Sequence, residues 1–221
     1  MRLLCITDIH SEVRRFEKIL AAEPRADLLI IGGDFTNFGK PPEVDHILNL
    51  AQAHTPHVLA VAGNCDSAEI DQLLLERGVS LHQRGARIGL PGQGDIGFFG
   101  LSAMPPWKGN MYEFPEDDLD RFLAAGFAQV EDSPKFIMVP HCPPRNSEVD
   151  RNASGVNVGS IAVRNWMDKV KPLLVICGHI HEARGQSKIG NTVVVNCGPA
   201  RDGNYAVAEV GNEVKVELKR V

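Results

Sequence analysis

Seven side chains, scattered along the chain, have the types that bind divalent metals. Asp8 and His10 stand in "LLCITDIH", Asp34 in "LLIIGGD", Asn64 in "VLAVAGN", His141 in "FIMVPH", and His179 and His181 in "LLVICGHIH". Each closes an apolar, strand-like run. Together they offer three oxygen ligands and four imidazoles. Carboxylate, amide oxygen and neutral imidazole suit borderline divalent ions: Mn²⁺, Fe²⁺, Zn²⁺, Co²⁺ or Ni²⁺. Only two of the seven are carboxylates, so two such ions would leave a local charge of about +2, which attracts an anion such as phosphate. A pair of ions about 3.5–4 Å apart can hold a nucleophilic hydroxide and stabilise both oxygens of an in-line displacement. Asp-x-His and His-x-His would place both side chains on one side of an extended backbone. Gly32, Gly33, Gly63 and Gly178 flank these residues, and lacking Cβ they allow sharp bends and close approach.

Taken singly, each piece has a plain structural reading: Asp8 can cap a helix, Gly33-Asp34 can be a turn, and His141 can be a satisfied buried histidine. Their recurrence points to a shared site. Five runs in chain order end in the same way, and ligand sites in sheets of this kind form beyond the carboxyl ends of the strands. If these strands are neighbours and parallel, all seven groups meet. His46, His54, His57 and His82 lie in helix-like or linker text and show no such placement.

The elements that must position these groups read as follows. Strands are expected at 3–7, 27–34, 57–64, 135–141 and 173–179. Helices are expected at 11–22, with Ser11 as N-cap, at 42–54, and at about 67–77, with Asp66 and Glu69 as a capping box ending at Gly78. Further helices start at residue 116, acid-rich in the first turn, and around Val163, Trp166, Met167 and Val170. Continuous apolar strands alternating with helices indicate a sheet covered on both faces. "ARIGL" and "DIGFFGL" around Pro91-Gly92-Gln93-Gly94 read as a hairpin. Gly190-Asn191 and Gly211-Asn212 each read as a two-residue hairpin turn. Residues 102–115 read as a long ordered loop.

The chain has 221 residues and a net charge of −5. That length suits one domain spanning 1–221. No basic run argues for long nucleic acid, and no apolar run reaches the roughly 18 residues of a membrane span. Met1 leads directly into a strand, so no signal peptide is expected. Five cysteines, an odd number with no C-x-x-C pair, argue against a disulfide framework and for a cytoplasmic location.

"DIH", "GGD", "GNCD", "PHCPP" and "GHIH" together resemble the motifs of the calcineurin-like metallophosphoesterases, and the text around them looks most like small bacterial and archaeal phosphodiesterases of that family. The resemblance implies an α/β fold of two mixed β-sheets packed as a sandwich flanked by helices. It implies two divalent ions, Mn²⁺ foremost. Asp8, His10 and His181 would hold the first ion and Asn64, His141 and His179 the second. Asp34 and a hydroxide that attacks phosphorus would bridge them. Asp66 would cap the next helix or orient a neighbour. Cys65 departs from the pattern, because many members have a histidine there that protonates the leaving oxygen. Inert packing, a substitute acid and a redox or inhibitory metal contact are its three readings. Trp107 and Tyr112 are candidates to stack on a base or aryl group, packing of the loop being the alternative. Arg145, Asn146 and Arg201 are candidates to touch phosphate, with solvated surface residues as the alternative. The implied substrate is a small phosphodiester or nucleotide-like molecule. Phosphomonoesterase, nucleotide pyrophosphohydrolase, repair nuclease and non-catalytic scaffold are the competing functions. No membrane partner is implied, and a homo-oligomer stays open.

Overall fold

Residues 1–24, 26–90 and 94–221 are described by a computed structural model. Two sheets form its centre. The first has the order β11-β10-β1-β2-β3 and the second the order β4-β5-β6-β7-β9-β8. In the first sheet β1 (Arg2–Ile6), β2 (Leu28–Gly32) and β3 (Val58–Val61) run parallel, while β10 (Asn204–Val210) and β11 (Val214–Arg220) are antiparallel. In the second, β5 (Gly94–Leu101), β6 (Lys135–Pro140), β7 (Leu174–Cys177) and β9 (Thr192–Asn196) are parallel, with β4 (Gly85–Leu90) and β8 (Gly185–Ile189) antiparallel at the edges. Both sheets are mixed, as the resemblance implies.

Side-chain alternation explains the layers. Along β1, Leu3 and Cys5 point to the second sheet, where they pack with Phe98, Ile137, Val139 and Ile176. Leu4 and Ile6 point the other way, onto Phe16 and Ile19 of α1 (Val13–Ala22) and Ile47 and Leu48 of α2 (Pro41–His54). The outer face of the second sheet, through Phe99, Met138 and Val175, packs on Leu119 and Leu123 of α4 (Glu116–Phe127) and Val163 and Trp166 of α5 (Ile161–Val170). A strand buried on both faces must be apolar at every position, which is why these segments read as unbroken runs.

Local details depart from the sequence expectations. Ser11 does not cap α1; Glu12 stands at that position, and the Ser11 hydroxyl accepts the Asn37 amide instead. Asp66 does not form the capping box of α3 (Ala68–Glu76). Ser67 caps it, accepting the Ile70 amide, while Asp66 is taken up by another loop. Gly211-Asn212 belongs to a three-residue connection, because Val210 pairs with Val214. Strands β4 and β5 pair as the expected hairpin, whose Pro91-Gly92-Gln93 connection lies outside the described residues. All five cysteines are free and buried. Among the described residues, no helix is long and apolar enough to cross a membrane.

Candidate metal centre

The five ligand-bearing strands lie in two sheets, and their carboxyl ends meet at one edge of the sandwich. Backbone hydrogen bonds lace the loops that leave them: Asp8 N–H to Gly33 O, His10 N–H to Asp34 O and Gly178 N–H to His141 O, at 2.9, 2.9 and 3.0 Å. The extended Asp-x-His geometry expected from the sequence is not what brings the side chains together. Asp8, His10, Asp34 and His179 have φ of 56°, 47°, 50° and 65°. These left-handed conformations cost a non-glycine residue on the order of 1–3 kcal/mol each and persist where surrounding contacts enforce them. His181 starts a short 3₁₀ turn rather than continuing a strand.

One ligand atom from each of Asp8, His10, Asp34 and His181 lies within 4.8 Å of all the others. His10 Nε2 is 3.3 Å from His181 Nε2, and His181 Nε2 is 3.3 Å from Asp8 Oδ1. Asp34 faces two ways. Its Oδ2 is 3.5 Å from His10 Nε2, and its Oδ1 is 3.6 Å from His141 Nε2. On that second side, His141 Nε2 is 3.0 Å from Asn64 Oδ1, and the His141 and His179 ring centroids are 5.2 Å apart.

The donor inventory shows what fits here. His141 Nδ1 donates to the Gly32 carbonyl at 2.8 Å, so Nε2 of the neutral ring carries a lone pair. That lone pair faces Asn64 Oδ1 and Asp34 Oδ1, which are acceptors as well. The Asn64 amide nitrogen is turned away, toward Cys65 Sγ at 3.4 Å and Met111 Sδ at 3.7 Å. His10 Nδ1 is buried with no hydrogen-bond partner. Carboxylate, amide and imidazole ligand atoms gathered this closely suit a cation. The glycines leave room for this geometry: a Cβ on Gly63 would overlap Asp34 Oδ1, and one on Gly178 would overlap Asp8 Oδ2.

Electrostatics agree. Burial pushes the His179 pKa down to about 3, so the ring is neutral and free to ligate. Burial also lowers His10. Burial would raise Asp8, but the hydrogen bond from His181 holds its carboxyl well below the usual range. Cys65 is 7% exposed, and burial plus the Asp34 charge push its thiol well above the ordinary value. Its backbone N–H donates to Asp34 Oδ1 at 2.7 Å. Asp66 accepts from the Phe35, Thr36 and Gly63 amides at 3.1, 3.0 and 2.9 Å and from the Thr36 hydroxyl at 3.0 Å. It thereby ties the loop after Asp34 to the loop before Asn64.

The remaining candidates divide. An Arg201 guanidinium nitrogen lies 3.3 Å from His181 Nδ1, beside the cluster. Arg145 bonds Gly159 O at 3.5 Å, and Asn146 accepts from Asn157, so the hydrogen bonds described for their side chains stay within their own loop. Trp107 is 69% exposed, with the Lys108 ammonium 4.4 Å from its ring centroid. Tyr112 donates its N–H to Asn64 O at 3.0 Å. Sequence reasoning missed Met111, whose contact with Asn64 no local pattern signals.

Comparison with known proteins identifies the family and the fold. The sequence model of the calcineurin-like phosphoesterase family matches residues 1–183. An uncharacterized protein of Methanocaldococcus jannaschii, MJ1162, is 32% identical over 209 residues, covering 90% of this chain and 88% of the relative. Two solved structures share the fold at low identity. The protein TT1561 of Thermus thermophilus superposes with a TM-score of 0.77 at 18% identity, over 99% of this chain and 98% of that one. A dimetal phosphatase of Danio rerio gives 0.66 at 9% identity, over 100% and 96%. The chain belongs to the calcineurin-like phosphoesterase family and is a metal-dependent phosphoester hydrolase.

Proposed function

We propose that the protein is a phosphodiesterase acting on small phosphodiesters with two divalent ions, Mn²⁺ foremost. Asp8, His10 and His181 would hold one ion, Asn64, His141 and His179 the other, and Asp34, which faces both groups, would serve both. When bound, the ions supply Lewis acidity that makes water a nucleophile at neutral pH and draws charge from the phosphoryl oxygens. The observation that carries the reading is the convergence of ligand atoms: those of Asp8, His10, Asp34 and His181 lie within 4.8 Å of one another, and His141 Nε2 stands 3.0 Å from Asn64 Oδ1 and 3.6 Å from Asp34 Oδ1.

The chain's own residues do the rest. The His141 Nδ1–H bond to Gly32 fixes the tautomer that leaves Nε2 free. Met111 and Cys65 turn the Asn64 oxygen inward. Asp66 locks the two loops that carry Asp34 and Asn64. Arg201 brings one positive charge beside His181, which complements the single charge of a diester better than the two of a monoester. Cys65, held as a thiol, is a weak proton donor at its leaving-group position, so turnover should depend on leaving-group acidity.

Elemental analysis of purified protein, with Mn²⁺-dependent hydrolysis of bis-p-nitrophenyl and mono-p-nitrophenyl phosphate, tests the proposal. The diester should be the better substrate, and Asp34→Asn and His179→Ala should each lose activity and bound metal. Wild-type activity in both variants overturns the site. A preference for the monoester overturns the diester reading and favours a phosphomonoesterase.

A further inference from the structure

A second polar centre lies on the other side of the loop that touches Asn64. Asp71 of α3 is 8% exposed. Its Oδ1 accepts from the Ser102 hydroxyl and its Oδ2 from the Tyr112 hydroxyl, both at 2.8 Å. Both donors are neutral. Among the described residues, the basic group within ion-pair distance is His82, with Nε2 3.8 Å from Oδ2. Its Nδ1 accepts the Ser102 amide at 3.2 Å, and burial lowers its pKa, so the ring at neutral pH carries no charge to offset the carboxylate. A buried carboxylate without a cationic partner is uncommon, because desolvating the charge is costly.

Asp71 is also the wall of a cavity of about 420 Å³. Tyr112, Phe114 and Phe122 line the same space. The Tyr112 and Phe114 rings meet at 74° with centroids 5.1 Å apart, and Phe114 and Phe122 at 89° and 5.2 Å. These edge-to-face contacts, with His82 packed on Phe122 in the same way at 4.8 Å, hold the three rings in place along the cavity, and aromatic rings carry negative charge on their faces. An acid beside aromatic walls attracts a weakly hydrated organic cation. Inorganic Ca²⁺ or Mg²⁺ fits less well, because Asp71 is the one carboxylate of the lining and Gln72, Ser80, Gln83 and Gln129 add only neutral oxygens. Arg84 reaches the same cavity, but it is an exposed rim residue with no ion pair to Asp71 among the described residues.

We propose that this cavity binds a small alkylammonium compound, its positive centre held by Asp71 and the walls of Tyr112, Phe114 and Phe122. The site is tied to the metal centre through Tyr112, whose hydroxyl holds Asp71 while its backbone N–H holds the Asn64 carbonyl. The inference does not rest on the phosphodiesterase reading.

Calorimetric titration of the whole protein with choline chloride, and with 3,3-dimethylbutanol in which carbon replaces the nitrogen, tests it directly. Choline should saturate at one per chain, bind at least tenfold more tightly than the neutral isostere, and lose at least tenfold in affinity in Asp71→Asn. Because that variant also disturbs the Ser102 and Tyr112 bonds, Phe122→Leu provides a second arm; it removes one wall and no buried charge, and should weaken choline severalfold at unchanged circular dichroism. Equal binding of the two compounds, no saturable binding of choline, or full displacement by sodium chloride at matched ionic strength overturns the proposal.

Discussion

Replacing Gly63 by alanine tests how tightly the centre is built. The added Cβ would stand 2.6 Å from Asp34 Cγ, against an ordinary carbon–carbon contact of about 3.5–4.0 Å. Asp34 would have to move by about 1 Å. It has little freedom to do so: its side chain is 2% exposed, the Cys65 amide holds Oδ1 at 2.7 Å, and its carbonyl is held by the His10 amide at 2.9 Å. Overpacking of this kind costs about 1–3 kcal/mol, or roughly 3–10 °C in melting temperature for a chain of this size. A displacement of about 1 Å at a reacting centre costs on the order of a hundredfold in rate. Gly63→Ala should therefore fold, bind Mn²⁺ more weakly by titration, and hydrolyse bis-p-nitrophenyl phosphate with kcat/KM down about a hundredfold. Gly211→Ala is the control, since its Cβ would meet nothing nearer than 4.0 Å. If Gly63→Ala kept wild-type metal affinity and turnover, the claim that Asp34 is clamped within the ligand cluster would be wrong.

Two further outcomes are expected. Cys65→His should raise turnover of alkyl phosphodiesters far more than that of aryl ones, because a positioned general acid contributes about 10²–10⁴-fold and matters most for poor leaving groups. A wild-type rate that is flat across leaving groups of different pKa refutes this. Glu23, whose side chain is 6% exposed, binds Arg2 at 2.6 Å, Lys219 at 2.5 Å and Tyr205 at 3.1 Å, joining the end of α1 to β1, β10 and β11. Burial would raise its pKa, but these three partners hold it below the ordinary glutamate value. Its contribution is therefore complete above the unfolded-state pKa and fades as pH falls through the lower folded value. Glu23→Gln should cost on the order of 1–3 kcal/mol in urea melts at pH 7 and progressively less in acid; a deficit that stays constant down to pH 2 contradicts the linkage.

The strands, and the polar residues at their ends of which Asp8, His10, Asp34 and His181 meet in one cluster, were legible because burial on both faces forces unbroken apolar runs that polar residues interrupt only at their ends. What could not be read is how the chain turns there. The left-handed φ at Asp8 depends on a hydrogen bond from its amide to Gly33, 25 residues away, which no local propensity encodes. Asp66 shows the same limit. Locally it competes with Ser67 to cap α3, but the unpaired amides of Phe35 and Thr36 offer a buried carboxylate more bonds than a helix end does. Asp71 looks from its spacing like an ordinary polar position on a helix, and only the fold closes Ser102 and Tyr112 over it.

The two proposed ligand sets also bear on why the sandwich has this architecture. Each draws on both sheets: Asp8 and His10 follow β1 while His181 follows β7, and Asn64 follows β3 while His141 and His179 follow β6 and β7. Bound ions would therefore cross-link the two sheets at the one edge where the apolar core stops. Without them that edge holds acceptors facing acceptors, such as His141 Nε2 against Asn64 Oδ1, supported by strained left-handed turns. A bound cation would offset that repulsion, so metal binding would stabilise the closure of this edge. Elements far from the edge, such as the β10–β11 hairpin, take no part in it, and amide hydrogen exchange on adding Mn²⁺ should slow at residues 8–11, 33–36, 63–66 and 178–181 while leaving 204–220 unchanged.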